Sequence, residues 1–229
     1  MEKLVIVFIF LVLTGVLIGR IKSAKTKRRR QLIDNYRFPL KITQQLSEKY
    51  PHLTQAQVNQ VIEGLREYFH ICNMAGKNFV SMPSQAVDQA WHEFILFTKQ
   101  YELFCSKALG HFLHHTPAEA MRSPTQAQSG IKRAWLLACK REGISTLSPK
   151  MLPILFSLDF NLAIPDGFRY DLNCLLAKGT SNVYCATHIG CGSGCGSGCT
   201  GGGHNDGSHS DSGFGCSSSG CSGGCGGGD

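Results

Sequence analysis

Apolar residues recur at helical spacing through the middle of this chain. Val58, Val61, Ile62, Leu65, Tyr68, Phe69 and Cys72 fall on one stripe of a helix. Thr54 and Gln57 form a T-x-x-Q capping box ahead of that stripe, and Gly76 supplies the stop. A second stripe runs through Val87, Trp91, Phe94, Ile95, Thr98, Tyr101 and Cys105. It predicts one long helix from about Ser84 to Leu109, ended by Gly110. A third helix is expected over about Thr125 to Glu142, with Ile131, Ala134, Trp135, Ala138 and Cys139 inward and Gly143 as its stop. Phe38 to Tyr50 reads as a short leading helix, while Pro153 and Pro165 break the last stretch and leave its form open. The predicted fold class is all-α, a compact helical domain over residues 35–178.

Both ends depart from this pattern. Residues 4–19 carry no charge and run straight into Arg20. A membrane-spanning helix needs about 20 apolar residues, with a lower limit of about 17. Ile21 and the aliphatic stems of Lys3, Arg20 and Lys22 make up the difference. The expectation is one N-terminal transmembrane anchor over residues 1–21. A cleaved signal peptide is the competing reading, but Lys3 is balanced by Glu2, no A-x-A-like site follows, and the basic cluster lies after the apolar run. Residues 190–229 hold 17 Gly, 9 Ser and 6 Cys. That composition cannot bury enough apolar surface to offset its ordering entropy, so residues 179–229 are expected to form a disordered Gly/Ser/Cys-rich tail.

The net charge of +7 equals that of residues 20–30 alone, which hold seven Lys and Arg and no acid. Residues 31–178 carry +3 and the remainder −3. This distribution argues against a uniformly basic nucleic-acid-binding domain, and no nucleic-acid partner is expected. It reads instead as a topological signal, because Lys and Arg flanking a span stay cytoplasmic. The expected localisation is therefore a single-pass membrane protein whose C-terminal domain is cytoplasmic. Residues 20–34 form a basic juxtamembrane linker, able to bind anionic lipid at about 1 kcal/mol per residue.

Candidate chemistry concentrates in and after the second long stripe. Asp88 and His92 are four residues apart and project from one helix face. Asp88 is placed to hold one ring nitrogen of His92 and leave the other free, as a carboxylate does behind a metal ligand. His111, His114 and His115 follow the helix stop, so four imidazoles lie close in sequence. Such a set suits zinc or another divalent transition metal. The plainer reading is a structural polar network, with catalysis behind both.

The segment with Val87-Asp88, Trp91-His92, Tyr101, Cys105, Gly110 and His114-His115 resembles the glycine-rich domain-containing protein-like family. In that family a Val-Asp-x-x-Trp-His helix followed by Tyr and Cys is the hallmark. The resemblance spans residues 50 to 176, and the tail matches the family's Gly-rich segment in composition. It implies a helical domain with no established enzymatic activity.

The cysteines form two groups. Cys72, Cys105, Cys139 and Cys174 sit on or near apolar faces and are expected to be free thiols in a cytoplasmic domain. Cys185, Cys191, Cys195, Cys199, Cys216, Cys221 and Cys225 lie at C-x3-C and wider spacings, unlike the C-x2-C pairs of a folded zinc module. A flexible thiol tail can chelate soft metals adaptively, and an unliganded tail is the equal alternative. The functional expectation is a non-enzymatic binding or scaffolding module with a protein partner, metal-responsive through His and Cys. The alternative is a metal-dependent enzyme using the His cluster.

Overall fold

The computed structural model describes residues 2–116, 124–146, 148–172, 183–185 and 189. Seven α-helices follow in chain order: α1 (Glu2–Asp34), α2 (Leu40–Lys49), α3 (Gln55–Ala75), α4 (Gln85–Ile95), α5 (Thr98–Phe104), α6 (Pro124–Glu142) and α7 (Ile154–Asn161). A single π-turn, Cys105–Leu109, continues α5. Strands β1 (Arg169–Asp171) and β2 (Val183–Cys185) pair in parallel, with Tyr170 opposite Tyr184. The all-α expectation holds for the architecture, with this short pair as its one exception among the described residues.

Helix α3 is the axis of the fold and packs against α1, α2, α4, α6 and α7. Its start follows the sequence reading. Thr54 accepts from the Gln57 backbone while the Gln57 side chain accepts from Thr54, and Gly76 takes the C-cap at φ +64°. Val58, Val61, Leu65, Tyr68, Phe69 and Cys72 are buried as predicted. Around them Tyr36, Phe38, Phe69, Phe94 and Phe104 form a continuous aromatic cluster, with neighbouring ring centroids 4.6–6.4 Å apart. Gly64 lets α3 approach α4 and α7, since a Cβ there would lie 2.8 Å from Val87 Cγ2 and 3.0 Å from Leu158 Cδ2.

Two predicted boundaries change. The single helix expected from Ser84 to Leu109 divides, because Phe97 takes φ −82° and ψ 58° and interrupts the helical backbone between α4 and α5. Phe94, Tyr101 and Phe104 all remain in the core across that break, so the apolar period gives no sign of it. The basic stretch is also more than a linker. Helix α1 runs unbroken from the apolar segment to Asp34, and Ile33 is fully buried in the domain core. Arg66 donates to the carbonyls of Ile33 and Tyr36, and the Asp34 carboxylate meets His70 Nε2 at 2.7 Å.

Among the described residues no helix is long and apolar enough to cross a membrane. The uncharged run ends at Gly19, and the same helix then becomes strongly basic. The disordered tail expected from residue 179 is corrected at its start, because Val183–Cys185 pairs with Arg169–Asp171 as β2 and Ile189 packs against the core. Its cysteines Cys191, Cys195, Cys199, Cys216, Cys221 and Cys225 lie outside the described residues, as does Cys174.

Candidate metal centre

Helix α4 begins at an N-cap built by two residues. Ser84 Oγ accepts from the Val87 backbone N–H at 3.2 Å and donates to Asp159 Oδ1 at 2.6 Å. Asp159, on α7, also accepts from the backbone N–H groups of Gln85, Ala86 and Phe168. The carboxylate is 3% exposed, and burial raises its pKa against the opposing pull of these donors. It fixes the start of α4 and, one and two turns on, the positions of Asp88 and His92. Sequence reasoning missed Asp159, because its partners at the start of α4 lie more than seventy residues away.

Asp88 and His92 occupy adjacent turns of α4, with Oδ2 and Nε2 3.6 Å apart. His115 arrives from the segment that follows the π-turn. Its Nε2 lies 2.9 Å from His92 Nε2 and 3.2 Å from Asp88 Oδ1. Two imidazole nitrogens and a carboxylate therefore converge, with their ligand atoms within 4.8 Å of one another. Asp88 joins the convergent set directly as well as standing beside His92. His115 and Asp88 are each about one-fifth exposed and His92 is 45% exposed, so the set opens to solvent on one side.

A buried relay holds His115 in place. Trp91 Nε1 donates to Tyr101 Oη at 3.0 Å, and Tyr101 Oη donates to the Leu113 carbonyl at 2.5 Å. The Trp91 ring also meets the His115 ring edge-on at 4.7 Å. Gly110 makes the turn possible by adopting φ +79°, after its N–H closes the π-turn onto Cys105 O at 2.9 Å. Burial raises the Cys105 thiol pKa, while hydrogen bonds from the Leu113 backbone and Tyr101 pull it back. Every residue of the Val-Asp-x-x-Trp-His pattern thus has a place: Val87 at the α3 contact, Asp88 and His92 at the centre, Trp91 and Tyr101 in the relay, and Cys105 beneath it.

The other two predicted imidazoles do not join. His114 is exposed and packs on Phe112, with centroids 4.8 Å apart. His111 is half-buried and stands outside the convergent set.

The donor set fits a divalent ion. At about 2.0–2.1 Å from a shared metal, nitrogens 2.9 Å apart subtend about 90°. The 3.6 Å pair subtends about 120° at the same bond lengths. These values bracket the tetrahedral angle.

The UCP032817-like family matches residues 28–189 of the chain. No curated protein matches it, and no solved structure does.

Proposed function

Because this chain belongs to the UCP032817-like family, whose match begins inside the basic half of α1, we propose that the family unit is a membrane-tethered helical binding module with a divalent-metal centre at Asp88, His92 and His115. The observation that carries this reading is the approach of His92 Nε2 and His115 Nε2 to 2.9 Å beside the Asp88 carboxylate. Two imidazoles and one carboxylate suit zinc or a similar first-row ion. Binding would fix the segment from Gly110 to His115, on which Phe112 is 46% exposed and His114 is exposed. A protein partner reading that segment makes the module metal-responsive. The likeness to the glycine-rich domain-containing protein-like family, on Val87, Asp88, Trp91, His92, Tyr101 and Cys105, supports a binding role over an enzymatic one.

The tether is the apolar start of α1. Phe8, Ile9, Phe10, Leu13, Val16, Leu17 and Ile18 are all at least half exposed, and they surround the helix instead of forming one stripe. A helix apolar on all sides is stable when something apolar covers it, and lipid does so here. The cations from Arg20 onward then hold the domain on the cytoplasmic side. Carbonate extraction combined with a C-terminal topology reporter tests this. Retention in the pellet with a cytoplasmic reporter supports it, and release into the supernatant overturns it.

The metal test uses the full chain with the seven cysteines at and after Cys185 changed to Ser, so that thiols do not compete. Cobalt(II) titration should give one equivalent, with the spectrum of nitrogen and oxygen ligation. That equivalent should be lost in His92→Ala and in His115→Ala. Absence of stoichiometric binding, or its survival in both variants, overturns the centre. Three protein donors with an open fourth position also match the plan of a catalytic zinc site. Metal-dependent hydrolysis of an activated ester that disappears in His92→Ala would favour that second reading.

A further inference from the structure

Four cations from two separate parts of the chain line one groove. Lys25, Arg28 and Arg29 lie at i, i+3 and i+4 on a face of α1, and Lys107 faces them from the π-turn, with Leu32, Ser106 and Gly110 completing the wall. Like charges so placed repel unless an anion lies among them. Among the described residues no carboxylate forms an ion pair with any of the four. The groove is also shaped around its cations. A Cβ at Gly110 would lie 1.6 Å from Arg29 Nη2, so a side chain there would evict the guanidinium. Gly110 thus serves the turn toward His115 and the seat of Arg29 at once.

We propose that this groove binds the phosphate of an anionic membrane lipid headgroup. The choice of lipid over a soluble phosphate follows from the helix itself and rests on α1 being inserted in a membrane. The apolar run and the groove cations share one uninterrupted helix. At about 1.5 Å per residue, Lys25 stands about 6 Å and Arg29 about 12 Å beyond Ile21. The headgroup layer is about 5–8 Å deep on each side, so Lys25 lies within it, while Arg29 starts just outside and reaches back along its aliphatic stem. Arg and Lys together give the planar fork and the point charges that phosphate oxygens accept from. Lys107 makes this a site of the folded domain and distinguishes it from a polybasic tail, because it reaches the groove only when the π-turn packs on α1.

The test uses the full chain in nanodiscs. Incorporation into discs of neutral phosphatidylcholine reports insertion of α1 and is scored first. If the chain does not enter these discs, the membrane reading fails and the lipid assignment falls with it. In discs containing a minor fraction of phosphatidic acid, native mass spectrometry should show one phosphatidic acid retained per chain in preference to phosphatidylcholine. Lys107→Glu and Arg28→Glu should each weaken that retention about tenfold. Arg20→Glu, which removes an equal charge outside the groove, should leave it within about twofold. Equal losses in Lys107→Glu and Arg20→Glu would reduce the effect to bulk charge and overturn the site. A second arm titrates inorganic phosphate onto the detergent-solubilised chain. Phosphate binding that depends on Lys107, in a chain without phosphatidic acid preference, would overturn the lipid assignment in favour of a soluble anion.

Discussion

His92 and His115 stand 23 positions apart in the chain, yet their Nε2 atoms lie 2.9 Å apart. Neither residue's local sequence produces that approach. His92 is placed by α4, whose N-terminus is held by Ser84 and Asp159. His115 is placed by the turn at Gly110 and by the Tyr101 bond to the Leu113 carbonyl. The site is where two independently anchored segments meet, and its geometry should respond to damage in either anchor.

The contribution of each imidazole to metal binding should follow its position. Asp88→Asn removes the anionic donor and should weaken zinc binding by tenfold or more, whereas His111→Ala and His114→Ala should change it by less than twofold. Isothermal titration on the folded variants measures both. A large loss in His111→Ala would mean that the bound state recruits a ligand from outside the convergent set.

Tyr101→Phe removes one hydroxyl and two hydrogen bonds. Trp91 Nε1, buried in the core, loses its acceptor, and the Leu113 carbonyl loses its donor. Leaving a buried polar group unpaired costs about 1–3 kcal/mol. Urea denaturation should show a loss of that size, accompanied by weaker metal binding because His115 is no longer held. Unchanged metal affinity at reduced stability would confine Tyr101 to the core.

Much of the helix plan was legible because it is local. The capping box at Thr54, the stop at Gly76 and the buried stripe between them all act within a turn or two. The break at Phe97 was not, because Phe94, Tyr101 and Phe104 keep a helical period across it while tertiary packing sets the backbone. At the site, the i, i+4 pairing of Asp88 and His92 could be read directly. Which of three following histidines would join them could not, since that depends on the long-range bond from Tyr101 to Leu113. Asp159 and the Asp34–His70 pair were invisible for the same reason.

Acid should weaken the fold through His70. The ring is buried, its Nε2 meets Asp34 Oδ1, and its Nδ1 has no partner. Burial, with Arg141 nearby, lowers its pKa from the ordinary 6.5 despite the Asp34 contact. The unfolded chain therefore takes up a proton that the folded chain refuses, so stability rises with pH through this window. Going down in pH, the loss begins near 6.5 and continues until the folded-state ring itself protonates. Denaturation midpoints between pH 7.5 and 5 should fall in the native chain. The His70-dependent part of that slope should vanish in His70→Gln, whose amide keeps a polar contact to Asp34 without titrating. An identical slope in His70→Gln would assign the acid sensitivity to other groups.

Gly64→Ala tests how tightly the scaffold under the centre is packed. Helix propensity alone favours Ala inside a helix by about 1 kcal/mol. The added methyl would sit 2.8 Å from Val87 Cγ2 and 3.0 Å from Leu158 Cδ2, inside contact distance on both sides. Both neighbours are buried branched side chains with little freedom to turn away, so α3 must move from α4 or α7. Overpacking of this kind costs about 1–3 kcal/mol, which exceeds the propensity gain, and the net effect should be destabilising. Because Val87 precedes Asp88 on α4, the displacement should reach the centre and weaken metal binding as well. Thermal unfolding and metal titration of the same variant measure the two consequences together, and a Gly64→Ala protein more stable than the native chain would show that α3 and α4 have slack that the present geometry denies.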